Sequence, residues 1–150
     1  MVLKKRTDEK LGEILVRQGT ISEKQLAEAL ETQKTEQSLL GEILIRMGAV
    51  NERQIVQALT SQYGFPFIPL ESYDFDAEAA KLVPENVARQ YRLVPLDVIG
   101  DVMIIAMSNP LNTSAIEDIE MITKKKVQVF IAVITSINKA LNKIYTSSET

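Results

Sequence analysis

Leu11–Gly19 reads LGEILVRQG and Leu40–Gly48 reads LGEILIRMG. Seven of the nine positions are identical, and the other two are the pairs Val16/Ile45 and Gln18/Met47. The offset of 29 residues persists beyond the two stretches, pairing Ile21 with Val50, Leu26 with Ile55, Leu30 with Leu59 and Gln33 with Gln62. A register held over that length marks an internal repeat, and it governs every later assignment in this half.

Each copy has the pattern of two short helices. Leu11, Ile14 and Leu15 fall at i, i+3 and i+4, so they share one helical face. Gly19 supplies the left-handed residue that commonly closes a helix. Ser22 then serves as an N-cap, with Gln25 three residues later completing a capping box, and Leu26 and Leu30 continue the apolar face. The second copy repeats the scheme with Gly48, Asn51, Gln54, Ile55 and Leu59. The spacing predicts helices over Lys10–Gln18, Glu23–Gln33, Leu39–Met47 and Glu52–Tyr63, packed as a four-helix unit because neither pair can bury its apolar face alone. Gly12 and Gly41 stand at equivalent places in a first helical turn, where glycine costs about 0.5–1 kcal/mol against alanine. Their recurrence implies close approach of another helix or of a ligand.

The pattern changes after Gln62. Tyr63 and Gly64 close the fourth helix, and Phe65-Pro66-Phe67-Ile68-Pro69-Leu70 holds two prolines that suit an extended edge segment or a linker. Asp76 is placed to cap a short helix through Lys81, and Pro84 to sit in the first turn of another through Gln90. Leu93–Val98 and Val102–Met107 are rich in β-formers and flank the turn Gly100-Asp101, which predicts a hairpin. Ser114–Thr123 carries Ile116, Ile119 and Ile122 at helical spacing, Val127–Val133 predicts a strand, and Ile137, Leu141 and Ile144 mark a closing helix. Strand, helix and strand form a βαβ crossover, for which right-handedness is the rule. The fold class expected is α+β: a four-helix unit built from two tandem helix-pair repeats (residues 1–63), a linker or edge segment (64–70), and a small α/β subdomain with a mixed sheet and a polar tail (71–150).

Composition narrows the function. The chain of 150 residues is 45% hydrophobic and 25% charged, and its net charge is −3. That balance lacks the basic footprint of non-specific nucleic-acid binding. With no histidine and no cysteine, zinc sites of Cys/His type, a Ser-His-Asp triad, a cysteine nucleophile and disulfides are excluded. No apolar run approaches the ~18–20 residues of a membrane span, and Met1–Lys10 has no secretory-signal character, so a cytoplasmic location and no direct membrane insertion are expected. Neither a P-loop nor an acid/base pair is displayed, which favours a binding module without a catalytic site, a metal site or a required cofactor. Lys124-Lys125-Lys126 fits a solvated helix end, Glu117, Asp118 and Glu120 lack the loop a Ca²⁺ site requires, and Met103, Met107 and Met121 fit core positions.

The tandem pattern resembles the MshEN-type N-terminal domain of type II secretion and type IV pilus assembly ATPases, some members of which bind cyclic di-GMP. The family motif places Arg-Leu-Gly, then Leu, Gly, Leu, Leu and a closing Gln across 24 residues, twice, with a five-residue spacer. Carried onto this sequence, the first copy is Lys10, Leu11, Gly12, Leu15, Gly19, Leu26, Leu30 and Gln33. The spacer is Lys34–Ser38, and the second copy is Leu39, Leu40, Gly41, Leu44, Gly48, Ile55, Leu59 and Gln62. The similarity continues in Gln62-Tyr63-Gly64-Phe65-Pro66, Tyr91-Arg92-Leu93-Val94-Pro95-Leu96 and Ala106-Met107-Ser108-Asn109-Pro110, covering about Lys10 to Tyr145. The departure is at the leading arginines, replaced by Lys10 and Leu39; lysine is a point charge and leucine has neither charge nor fork. The resemblance implies one of two functions. In the first, a cyclic di-GMP ligand stiffens the helix pairs and biases a downstream ATPase domain. In the second, a docking domain holds the ATPase to an inner-membrane platform or secretion protein, at the inner face of the cell membrane.

Overall fold

The computed structural model describes residues 11–146, so Lys10 and the tail from Ser147, both assigned above from sequence, lie outside the described residues. Four helices come first: α1 (11–17), α2 (Glu23–Gln33), α3 (Leu40–Arg46) and α4 (Glu52–Tyr63). The bounds of α2 and α4 coincide with the sequence expectation because side chains fix them. In each, the N-cap oxygen accepts from the third helical N–H while that residue's amide accepts from the cap N–H: Ser22 with Gln25 at 3.1 and 2.9 Å, Asn51 with Gln54 at 2.9 and 2.9 Å. Helix α3 is shorter than Leu39–Met47. Leu39 is extended (φ −71°, ψ 148°) and has no side-chain oxygen to cap with, so it stands outside the helix.

The second half has a three-stranded mixed sheet in the order β1-β2-β3. Strands β1 (Leu93–Ile99) and β2 (Val102–Met107) are antiparallel, and β3 (Lys126–Ile131) runs parallel to β2. The crossover between β2 and β3 is α7 (Thr113–Thr123), with Asn112 as its N-cap. Short helices α5 (Ala77–Lys81, capped by Asp76) and α6 (Glu85–Tyr91) precede the hairpin, and α8 (Ile134–Thr146) closes the fold. Pro84 is the N-cap of α6 rather than a first-turn residue. The expected strand to Val133 ends at Ile131, because the apolar run passes directly into α8.

The stretch Pro66–Ile68 is an edge segment. Ile131 N–H donates to Pro66 O at 2.8 Å and Ile68 N–H to Ile131 O at 2.9 Å, a short parallel bridge on the free side of β3. Apolar burial forms two clusters. One is built on Leu11, Leu15, Leu40, Leu44 and Leu59 of the repeats; the other on Leu93, Leu96, Met103, Ile105 and Ile119 around the sheet. Ile131 packs with the first cluster although it belongs to β3, and Phe65 touches both. One assignment is corrected. Met121 is 71% exposed, whereas Met103 and Met107 are buried as expected. Two residues past the buried Ile119, Met121 is turned about 200° around α7, on its solvent side. Ile122 is also largely exposed, and Ile119 carries the burial of that face.

Candidate functional site

The repeat seen in the sequence recurs as hydrogen bonds. After α1, Gln18 N–H donates to Ile14 O (2.9 Å), Gly19 N–H to Val16 O (3.0 Å) and Thr20 N–H to Leu15 O (2.9 Å). After α3, Met47 donates to Ile43 (2.9 Å), Gly48 to Ile45 (3.0 Å) and Ala49 to Leu44 (3.0 Å). Gly19 and Gly48 have φ of +77° and +79°, the left-handed conformation that lets the chain leave the helix and enter the next cap.

The motif residues divide into a buried frame and a rim. Leu11, Leu15, Leu40, Leu44, Ile55 and Leu59 are core, while Leu26, Leu30 and Leu39 are half-buried. Gly12 and Gly41 are covered by helix packing. A Cβ on Gly12 would lie 2.5 Å from Leu26 Cδ1; one on Gly41 would lie 3.2 Å from Ile55 Cδ1 and 3.6 Å from Ile134 Cδ1. In both copies the motif's own Leu or Ile from the following helix seats on the glycine. At the rim, Gln33 Nε2 donates to Ser38 O (3.2 Å), and Gln62 Oε1 accepts from Arg17 Nη2 (3.2 Å), which ties the end of α4 to α1.

Sequence reasoning missed four polar residues that tie the repeat to its surroundings. Arg46 is the counterpart of Arg17, but its Nη2 meets Glu36 Oε2 at 2.5 Å. The Ser38 hydroxyl donates to the same oxygen at 2.7 Å; this hydrogen bond first and the Arg46 guanidinium second hold the Glu36 carboxyl below its ordinary range. Glu42 reaches back from α3 to accept the Leu39 N–H (3.1 Å), and its carboxylate takes Arg92 Nε at 2.8 Å and Nη2 at 3.3 Å. Glu52, in the first turn of α4, accepts Thr135 N–H (2.6 Å) and Thr135 Oγ1–H (2.9 Å), capping α8 from the other half of the chain. The signal in sequence was the glutamate pair at equivalent positions, Glu13/Glu42 and Glu23/Glu52, but nothing local says that only the second member of each finds a partner.

Other candidates resolve into structural roles. Asp118 accepts the Tyr91 hydroxyl, a hydrogen bond that pushes Tyr91 up to about 12, and Glu120 Oε2 accepts Val127 N–H at 3.3 Å. Among the described residues no group of acidic side chains is placed to hold a metal ion. Lys124 is the left-handed cap of α7 (φ 61°), Lys125 Nζ donates to Gly100 O (3.2 Å), and Lys126 opens β3. No helix among the described residues is long and apolar enough to cross a membrane. Where the two halves meet, a polar cleft of about 330 Å³ is lined by Glu42, Arg89, Arg92, Asn138, Leu141 and Asn142.

Two tandem helix pairs followed by a small mixed sheet define an α+β domain. The MshEN domain model matches residues 63–150, and the chain belongs to that family. It is 35% identical over 136 residues to the type IV pilus assembly ATPase PilB of Myxococcus xanthus, an alignment covering 91% of this chain and 24% of that protein. The PilB of Thermus thermophilus is 29% identical over 94 residues, covering 59% of this chain and 11% of its own length. The chain thus spans about a quarter or less of these relatives, and what is matched is the MshEN domain, not a catalytic ATPase domain. Among solved structures, MshE with cdg (cyclic di-GMP) shares 33% identity at a TM-score of 0.67, covering 90% of this chain and 98% of that one. The N-terminal domain of XpsE has a TM-score of 0.73 at 17% identity, covering 93% and 96%, a likeness of fold.

Proposed function

We propose that this chain is a cyclic di-GMP-sensing module of a type II secretion or type IV pilus assembly ATPase, with the tandem motif as the ligand surface. The observation that carries the reading is the likeness to MshE with cdg over nine-tenths of the chain, together with the ungapped register of the two motif copies. The functional division would be a sensing unit through residue 63, a connecting segment 64–70 and an α/β unit from 71 that passes the signal toward an ATPase domain. In this reading the buried leucines and the two glycines fix how the helix pairs meet. Lys10, Gln33 and Gln62 then supply the polar contacts, and Arg17 adds a guanidinium beside Gln62. The module works in the cytoplasm, held to the inner face of the membrane through a platform or secretion partner, and needs no cofactor.

Leu39 is the weak point of such a site. A guanidinium stacks on a guanine face and donates paired hydrogen bonds to an edge or phosphate, which leucine does not. Restoring arginine with Lys10→Arg and Leu39→Arg is expected to tighten cyclic di-GMP binding by one to two powers of ten in calorimetric titration, at about 1.4 kcal/mol for each. Gln33→Ala with Gln62→Ala is expected to weaken it. If the folded arginine variant gains nothing, the ligand reading falls. The protein-docking reading then remains, for which the exposed apolar Ile99, Met121 and Ile122 offer a surface. They are among the exposed large apolar side chains of the described residues.

A further inference from the structure

The Tyr91–Leu96 stretch was singled out by family resemblance, yet Arg92 has no place in the ligand motif. Its backbone is left-handed (φ 53°), one of two non-glycine residues so placed among those described, at the end of α6. Glycine or asparagine takes that conformation with less strain, so an arginine kept there points to work done by its side chain. The Arg92 side chain is only 26% exposed and that of its partner, Glu42, 15%. The fork closes on Glu42 through Nε (2.8 Å) and Nη2 (3.3 Å), while Nη1 turns back to Arg89 O (2.5 Å). Glu42 in turn accepts the Leu39 N–H at 3.1 Å. Leu39, Leu40 and Gly41 are the opening residues of the second motif copy.

The geometry points to Arg92 as a positioning residue for the ligand surface: by clamping Glu42 it fixes where the second motif copy begins. This rests on the cyclic di-GMP reading above. A planar fork with two donors on one carboxylate sets both distance and orientation, as a lysine does not. Among the described residues of the first copy there is no equivalent clamp: Glu13, the counterpart of Glu42, is exposed. The second copy is therefore held in register with β1 before any ligand arrives, and a ligand touching Leu39–Gly41 is felt at Arg92.

The test uses the whole chain with Arg92→Gly, Arg92→Lys, Glu42→Gln and, as control, Glu13→Gln. Glycine suits the left-handed backbone, so Arg92→Gly removes the clamp without adding strain at that residue. Amide exchange by NMR is expected to speed up at Leu39 in Arg92→Gly and Glu42→Gln, while the Ser22 and Asn51 N–H groups, held by their own capping boxes, keep their rates. In titrations with cyclic di-GMP, Arg92→Gly and Glu42→Gln are expected to weaken binding about fivefold to tenfold, Arg92→Lys less, and Glu13→Gln less than twofold. If the unaltered chain binds the nucleotide and Arg92→Gly binds it equally well, the positioning role is overturned and the ligand reading stands. No binding by the unaltered chain overturns both. Equal acceleration of exchange at Leu39, Ser22 and Asn51 shows general loosening and also overturns the positioning role.

Discussion

The two motif copies fold alike and are used differently. The helix closures at Gly19 and Gly48 and the capping boxes at Ser22 and Asn51 recur at an offset of 29 residues. Yet Glu42 and Glu52 grip Arg92 and Thr135 of the other half, while Glu13 and Glu23 face solvent. Arg17 meets the neutral amide of Gln62, whereas Arg46 meets the carboxylate of Glu36. Local structure follows local sequence; the partners a side chain finds depend on where each copy sits. Among the described residues, the glutamates of the second copy are paired with the sheet half and their counterparts in the first are exposed.

The equivalence of the two copies is tested most severely in the core. Leu15→Ala and Leu44→Ala each remove a fully buried side chain of the same cluster, and each is expected to cost about 2–5 kcal/mol in urea denaturation. A gap of more than about 2 kcal/mol between them would show that the copies share a fold but not a common core. The asymmetry should appear next. Glu52→Ala leaves the first turn of α8 without its acceptor and is expected to cost about 1–2 kcal/mol, whereas Glu23→Ala at the same place in copy one should stay within about 0.5 kcal/mol. Equal losses would mean that the contact with Thr135 contributes nothing.

The glycines give a smaller and less intuitive contrast. The contact waiting for a Cβ is shorter at Gly12 (2.5 Å) than at Gly41 (3.2 Å). Leu26 is only half-buried and can swing its methyl aside, while Ile55 is 4% exposed and Ile134 closes the other side of Gly41. Gly41→Ala is therefore expected to lose about 1 kcal/mol, overpacking outweighing the gain in helix propensity, and Gly12→Ala to be near neutral. The reverse order in thermal melts would show that Leu26 is as fixed as Ile55. The smallest effect concerns pH. The Glu36 carboxyl is depressed in the folded chain, so its contribution is present above the ordinary carboxylate range and is lost as pH falls through the lowered value. Carboxyl NMR titration should place Glu36 below an ordinary glutamate, and Ser38→Ala should move it back upward. The Arg17–Gln62 contact of copy one has no such dependence.

How much of this was legible depended on which atoms set each boundary. Where Ser22, Asn51, Asp76 and Gly64 define an end, sequence and structure agree, because the side chain or the left-handed turn acts on its own neighbours. Where a long-range contact decides, sequence was silent. The apolar run from Val127 to Ile134 does not show that the ladder stops at Ile131. Just beyond that break Glu52, 83 residues away, accepts the Thr135 N–H in the first turn of α8, a contact local sequence does not reveal. Met121 was misplaced for a related reason, since an apolar side chain on a helix does not reveal which face the sheet will cover. The frame of leucines and glycines was evident from the 29-residue register, while their proposed role as a ligand surface came only from the family resemblance. Arg92, whose guanidinium meets Glu42 of the second copy, was hidden in a motif with no visible link to the repeat.

The edge segment at Pro66–Ile68 also bears on how open the edge of the sheet is to another strand. A three-stranded sheet with a bare parallel edge at β3 is a template on which another chain can add a strand. Here the Ile131 end of that edge is occupied by Pro66 O and Ile68 N–H of the same chain. The strip that occupies it offers little in its turn: Pro69 has no N–H to donate, and a 3₁₀ turn at Leu70–Ser72 ends the extended run. The segment that joins the two halves thus also works as a strand terminator, closing the Ile131 end of β3 to an added strand.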